Sequence, residues 1–132
     1  MLHSVKTSET AFDSTFGIRM FGYFGEHIEA GSIFDNIMSI STSGISYELA
    51  RSYDFSDTGL IVDVGGGHGL LLTVILSANQ GVREILYDAH QVLNGAENIL
   101  GASRISERCE MVGGDFFESV PSGADTYIMK WI

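Results

Sequence analysis

Residues 60–69 read Leu-Ile-Val-Asp-Val-Gly-Gly-Gly-His-Gly, and 70–78 continue Leu-Leu-Leu-Thr-Val-Ile-Leu-Ser-Ala. The first five form a short apolar run suited to a strand; the last nine are apolar and helical, closed by Asn79, Gln80 and Gly81. Strand, glycine cluster and helix in that order open a βαβ unit. Glycine lacks a Cβ, so the loop can take positive φ and let a ligand approach the backbone. The helix start beyond it offers unpaired N–H groups that can meet a carboxylate as well as a phosphate.

The pattern then repeats. Ile85 to Tyr87 reads as a second strand, and Val92, Leu93, Ala96, Ile99 and Leu100 give a second helix that ends at Gly101. Glu110 to Val112 gives a third strand, and Pro121 with Gly123 marks a loop before a fourth, Ala124 to Met129. Strands alternating with helices imply an α/β fold with a parallel sheet and right-handed crossovers. Upstream, Ser32 and Asp35 resemble a capping box, and Phe34, Ile37, Met38, Ser41, Ile45 and Leu49 follow at near-helical spacing. That predicts a helix or broken helix pair over about 32–53, with Gly44 as the position that splits it. Phe12, Phe16, Phe21, Tyr23 and Phe24, with glycines between them, suit a packed and partly irregular surface, either as core or as the lining of a pocket or subunit contact.

Of the 132 residues, 45% are hydrophobic, enough for one domain with a real core. Acidic residues outnumber basic ones 17 to 7 for a net charge of -10, and no basic stripe follows a phosphate backbone, so nucleic acid is not an expected partner. No membrane segment is expected, because the most apolar stretch, 60–76, holds Asp63, His68 and four glycines. The polar residues 1–10 lack the layout of a secretory signal, and the single Cys109 offers neither a disulfide nor a metal pair, so the expected location is cytoplasmic. Cys109 itself reads as a small packed side chain.

Gly65, Gly67 and Gly69 are spaced GxGxG, and Leu70 stands where the third glycine of a dinucleotide fingerprint would fall. Asp88, 23 residues beyond Gly65 (88 − 65), closes the second strand, where an acid can accept hydrogen bonds from ribose hydroxyls. That position fits an NAD ligand or an S-adenosyl ligand; a helix cap is its ordinary alternative. Gly113-Gly114-Asp115-Phe116-Phe117 forms a second acidic loop on the same carboxyl edge of the sheet. Asp115 can accept from an adenine amino group and Phe116 can cover a purine, which together describe an adenine slot. A plain turn is the other reading of Asp115.

These residues resemble the plant and bacterial small-molecule O-methyltransferases, the group containing caffeic acid, hydroxyindole and anthracycline O-methyltransferases. The likeness runs through Phe34-Asp35-Asn36-Ile37-Met38, which looks like the family's FNxxM segment, then VDVGGGHG and YDAHQV, the latter similar to D-L-P-x-V. It continues through 108–117 and ends in ADTYIMKWI. The resemblance implies a partial class I methyltransferase fold, Rossmann-like, with an N-terminal helical segment at 1–58 left from a dimerisation and substrate region. Residues 59–132 would be the first half of the domain that binds S-adenosyl-L-methionine. Gly65, Gly67 and their neighbours would face the methionine part, Asp88 the ribose, and Asp115 with Phe116 the adenine, with Lys130 completing the shell. Met38 would lie near the methyl acceptor, a small molecule carrying a phenolic or polyketide-like hydroxyl; its ordinary alternative is a core position. The family's D-L-P reads Asp88-Ala89-His90 here, so that loop lacks its proline.

In the family a His-Asp-Trp segment carrying the general base follows KWI, so the base is expected beyond Ile132, and none of His3, His27, His68 and His90 is assigned to it. No metal is expected, because the fourth strand ends in Lys130 while Asp125 lies at its opposite end. The full protein is expected to be a homodimer. The chain by itself would be a fragment whose exposed edge strand 124–129 favours association. Two other readings remain open: a non-catalytic module that binds the same cofactor, and an NAD-binding oxidoreductase domain, which the glycine spacing and the adenine loop disfavour.

Overall fold

A computed structural model describes residues 1–101 and 105–132, without the side chains of residues 98, 99 and 106; Ile99 of the second helix is therefore outside the described side chains. Residues 60–64 form β1 (Leu60–Val64), in which only Leu60 is not fully buried. Alternation sends Ile61 to one face of the sheet and Val62 and Val64 to the other. After the glycine loop, α5 (Leu70–Ala78) buries Leu71, Leu72, Ile75 and Leu76. Each fully buried Leu or Ile contributes roughly 1.5–3 kcal/mol. Then come β2 (Arg83–Asp88), α6 (His90–Gly101), a single 3-10 turn (Ser106–Arg108), β3 (Cys109–Gly113) and β4 (Thr126–Met129). The sheet order is β3-β2-β1-β4 and every pairing is parallel, as the alternation of strands and helices predicts. β4 starts at Thr126 and not at Ala124, because Asp125 is occupied: its Oδ2 accepts the N–H groups of Gly59 and Leu60, both at 2.9 Å.

Arg108 finishes α5 from a distance. Its guanidinium donates to the carbonyls of Leu76 (2.7 Å), Asn79 (2.8 Å), Gln80 (3.3 Å) and Val82 (3.1 Å). The Leu76 and Asn79 carbonyls end the helix, whose dipole favours a cation there, and those of Gln80 and Val82 belong to the turn that leads into β2. Beside it, Cys109 is half-buried and packs against the cores on this face of the sheet; burial pushes its thiol up to about 11, which fits a packed side chain.

The chain forms two compact units, Met1–Asn36 and Ile37–Ile132. Two expectations for the N-terminal half are corrected. The segment 12–27, expected to be partly irregular, is mostly helical: α2 (Ala11–Phe16) and α3 (Met20–Glu26) leave only residues 17–19 and 27 outside helices, and α1 (Leu2–Thr7) precedes them. Thr10 caps α2 by accepting from the Asp13 N–H, and Gly17, at φ 73°, ends it in the left-handed conformation. The aromatic side chains of this unit pack on one another, Phe12 on Phe16 at 4.5 Å and Phe24 on Phe34 at 4.9 Å between ring centres.

The second correction concerns 32–53, where α4 (Ile28–Ser52) is one continuous helix that Gly44 does not split. Gly44 is exposed with open space where a Cβ would stand, so its cost is the roughly 1 kcal/mol of a helical glycine and nothing more. Ser32 is not at the helix start but inside α4, past a first turn closed by the Gly31 N–H on the His27 carbonyl at 3.0 Å. The buried face is also different. Thr42 and Ser46 are buried, each satisfied by a carbonyl one turn back, and Leu49 and Ala50 pack on the core below α5. Ile37 and Ile45, two of the apolar residues at near-helical spacing, are 56% and 43% exposed. Among the described residues no helix is long and apolar enough to cross a membrane.

Candidate functional site

Strand order reverses between β1 and β4, and in open parallel sheets the crevice for a ligand lies at the carboxyl ends beside that point. Gly65 follows β1, Asp88 ends β2, Asp115 and Phe116 follow β3, and Lys130 follows β4. Six of the seven predicted site residues therefore share one edge. Met38, half-buried on α4, is the seventh, and none of the bonds described below reaches it.

Asp88 organises that edge. Its Oδ2 accepts from the Gly67 N–H at 2.8 Å, its Oδ1 from the Ala89 N–H at 2.7 Å, and its carbonyl from the Gly114 N–H at 3.0 Å. One residue thus ties the glycine loop, the start of α6 and the acidic loop together. A carboxylate has about four acceptor directions, so two are left for hydroxyl donors. Burial raises the Asp88 pKa; the Gly67 and Ala89 N–H groups, and then His68, hold it down. Gly67 itself sits at φ 62°, a conformation that side chains rarely adopt. At Gly65, φ 66°, the Ile132 side chain and the Phe116 ring stand where a Cβ would point.

Phe116 packs against the buried cluster of Val62, Val64 and Tyr87, so its ring is held at the edge, whereas Phe117 is 78% exposed. Asp115 is exposed and shapes its own turn: Oδ1 accepts from the Phe117 N–H at 2.9 Å and its carbonyl from Glu118 and Ser119. The turn reading of Asp115 is therefore realised, alongside its place at the edge. Lys130 lays its ammonium over the Trp131 ring, 4.6 Å from the centre. Asp63, buried under the loop, is pushed up to about 7 by burial, with the Lys130 charge pulling it down and Asp88 pushing it further up.

Tyr87 is the residue that sequence reading passed over. It is 3% exposed, and its hydroxyl donates to the Ser119 carbonyl at 2.7 Å, bracing the acidic loop. A Cβ on Gly114 would run into the Tyr87 phenol, so the second glycine of the Gly113-Gly114 pair is the trace that this ring leaves in the sequence. Among the described residues no group of three or more His, Cys, Asp or Glu could hold a metal ion.

Comparison with known proteins finds O-methyltransferases. The phenazine O-methyltransferase of Lysobacter antibioticus is 39% identical over 130 residues, 98% of this chain and 38% of that protein. The solved structure of mitomycin 7-O-methyltransferase superposes with a TM-score of 0.94 at 35% identity, over 99% of this chain and 39% of the other. An O-methyltransferase from neocarzinostatin biosynthesis, solved with S-adenosylmethionine and 2-hydroxy-5-methyl naphthoic acid, gives a TM-score of 0.86 at 30% identity, over 96% of this chain and 39% of the other. The chain thus spans 38% of the length of the first of these relatives. A family model described as the O-methyltransferase domain matches residues 2–132, and the chain belongs to that family.

Proposed function

We propose that this chain supplies the site for S-adenosyl-L-methionine in an enzyme that methylates a hydroxyl of a small phenolic or polyketide-like acceptor. The observation that carries the reading is the convergence on Asp88: a carboxylate with acceptor capacity to spare, bonded to the glycine loop, at the carboxyl edge of a parallel sheet. The residues present fit the cofactor. Gly65 and Gly67 offer a loop without side chains for its methionine portion, Asp88 has acceptors for ribose hydroxyls, and Phe116 presents a held ring beside Asp115 for adenine. Lys130 completes the shell at the end of β4, and Met38 is assigned to the acceptor side. When bound, S-adenosyl-L-methionine supplies a methyl group made electrophilic by the positive sulfur. This chain contributes position: an in-line approach of acceptor and donor is worth several kcal/mol of barrier in well-oriented systems. The base that takes the acceptor proton is assigned, on the resemblance to the family, outside residues 1–132.

Residues 1–58, with their packed aromatics, are assigned to dimerisation and acceptor contacts in the full protein, and 59–132 to the cofactor. A homodimer in the cytoplasm, with partners limited to small molecules, belongs to the same proposal. Calorimetric titration with S-adenosylhomocysteine and with NAD tests it. Binding of the first alone is expected, and Asp88→Ala should weaken it roughly 10-fold to 100-fold, the worth of hydrogen bonds to a charged acceptor. NAD binding without S-adenosylhomocysteine binding would overturn the proposal.

A further inference from the structure

α6 stands between the two loops that carry the site, and a histidine ring laid on a glycine fastens it on each side. The ring of His68, from the glycine loop, covers Gly95 in α6: a Cβ built there would lie 2.5 Å from Nε2 and 3.0 Å from Cδ2. The ring of His90, at the start of α6, covers Gly113 at the end of β3, where a Cβ would collide with Nδ1, Cε1 and Cγ. At 3.6 residues per turn, positions 90 and 95 point about 140° apart around the helix, so the rings hold different sides of it. Neither Gly95 nor Gly113 has a left-handed φ, unlike Gly65, Gly67 and Gly69. Their backbones suit any residue, so what they provide is room for a ring. Gly113-Gly114 is then pressed from both directions, by His90 at the first glycine and by Tyr87 at the second.

We propose that His68 and His90 are positioning residues that set the spacing between the glycine loop and the acidic loop through α6, and so determine the grip on the adenine nucleoside portion of the ligand. The proposal rests on the cofactor reading above. The contacts between ring and glycine are steric, while His68 also acts electrostatically on Asp88, so the test is made from the glycine side: an added methyl must drive the ring off, without the φ strain that would confuse the same change at Gly67.

The experiment is a pair of double-mutant cycles in the full chain, Gly113→Ala with His90→Ala and Gly95→Ala with His68→Ala. Each is read by S-adenosylhomocysteine titration and by amide exchange. Gly113→Ala should weaken S-adenosylhomocysteine about tenfold in the parent but less than about twofold once His90 is alanine, because partners in contact are not additive. Gly95→Ala should behave likewise with His68. Exchange should speed up at the Gly114 amide for the first cycle and at the Gly67 amide for the second, while the amides of α5 and β2 keep their protection. Additive losses, or exchange that rises over the whole sheet, would overturn the proposal. If the parent chain binds no S-adenosylhomocysteine, the cofactor reading fails; the positioning role is then decided by exchange alone, where coupling retains it and additivity removes it.

Discussion

Glu84 lies in β2 at 1% exposure, and neither carboxyl oxygen has a hydrogen-bond partner. Burial pushes its pKa from 4.5 up to about 9; the neighbouring Asp63 adds to the rise and Arg108 opposes it. The side chain is therefore protonated in the folded state at pH 7 and ionised in the unfolded chain. Holding that proton costs about 1.4 kcal/mol for each pH unit above 4.5, or about 3 kcal/mol at pH 7. Because the folded pKa is raised, stability is full below the unfolded value and falls as pH climbs towards the folded one. Asp63, raised to about 7, shares the slope only in the lower part of this window. Between pH 7 and about 8 the loss of about 1.4 kcal/mol per unit belongs to Glu84, and Cys109, common to parent and variant, joins it as pH approaches 9. Glu84→Leu, close in volume, should make the chain more stable by about 3 kcal/mol at pH 7 and remove that slope. Urea denaturation at half-unit steps from pH 5 to 9 measures both, and Asp88, common to the two proteins, cancels in the difference. Parallel profiles for parent and variant above pH 7 would refute the reasoning.

Arg108→Met keeps the aliphatic stem but abandons the carbonyls at the end of α5; a loss of about 2–3 kcal/mol in denaturation is expected, and a loss below 0.5 would show that water replaces the guanidinium. β4 is an edge of the four-stranded sheet, and Met129, Trp131 and Ile132 beside it are 65%, 63% and 59% exposed. The isolated chain should associate as concentration rises, and Met129→Lys should shift sedimentation towards the monomer, since lysine blunts edge pairing; a parent that stays monomeric throughout would count against this.

The local features of residues 59–132 were legible because they are local. An apolar run, a glycine cluster and a second apolar run name β1, the loop and α5 without outside help, and the distance from Gly65 to Asp88 is set by one βαβ repeat. What stayed hidden depends on partners far away in the chain. Arg108 acts on carbonyls 26 to 32 positions earlier, Tyr87 on Ser119 32 positions later, and Asp125 on amides 65 and 66 positions earlier. Backbone atoms are their partners, and those leave no mark in residue type. Gly44 and the segment 12–27 misled for another reason: a glycine lowers helix propensity by a fixed small amount, and a helix of 25 residues, or a glycine placed at a helix end, absorbs it. Thr42 and Ser46 hid the inner face of α4, because polar residues that bond to their own helix can be buried without a partner elsewhere.

The strand order also fixes a sequence of events. β1 is synthesised before the other strands yet ends in the middle of the sheet, so one flank is covered by β2 soon after it and the other only when residues 126–129 arrive. The clasp between Asp125 and the amides of Gly59 and Leu60 joins positions 66 and 65 residues apart, and long closures are entropically demanding and slow. Among the four strands described, the crevice between β1 and β4 is thus the last to be completed. Until then the newborn chain carries a half-covered hydrophobic ribbon, and its dependence on chaperones should be concentrated in that interval.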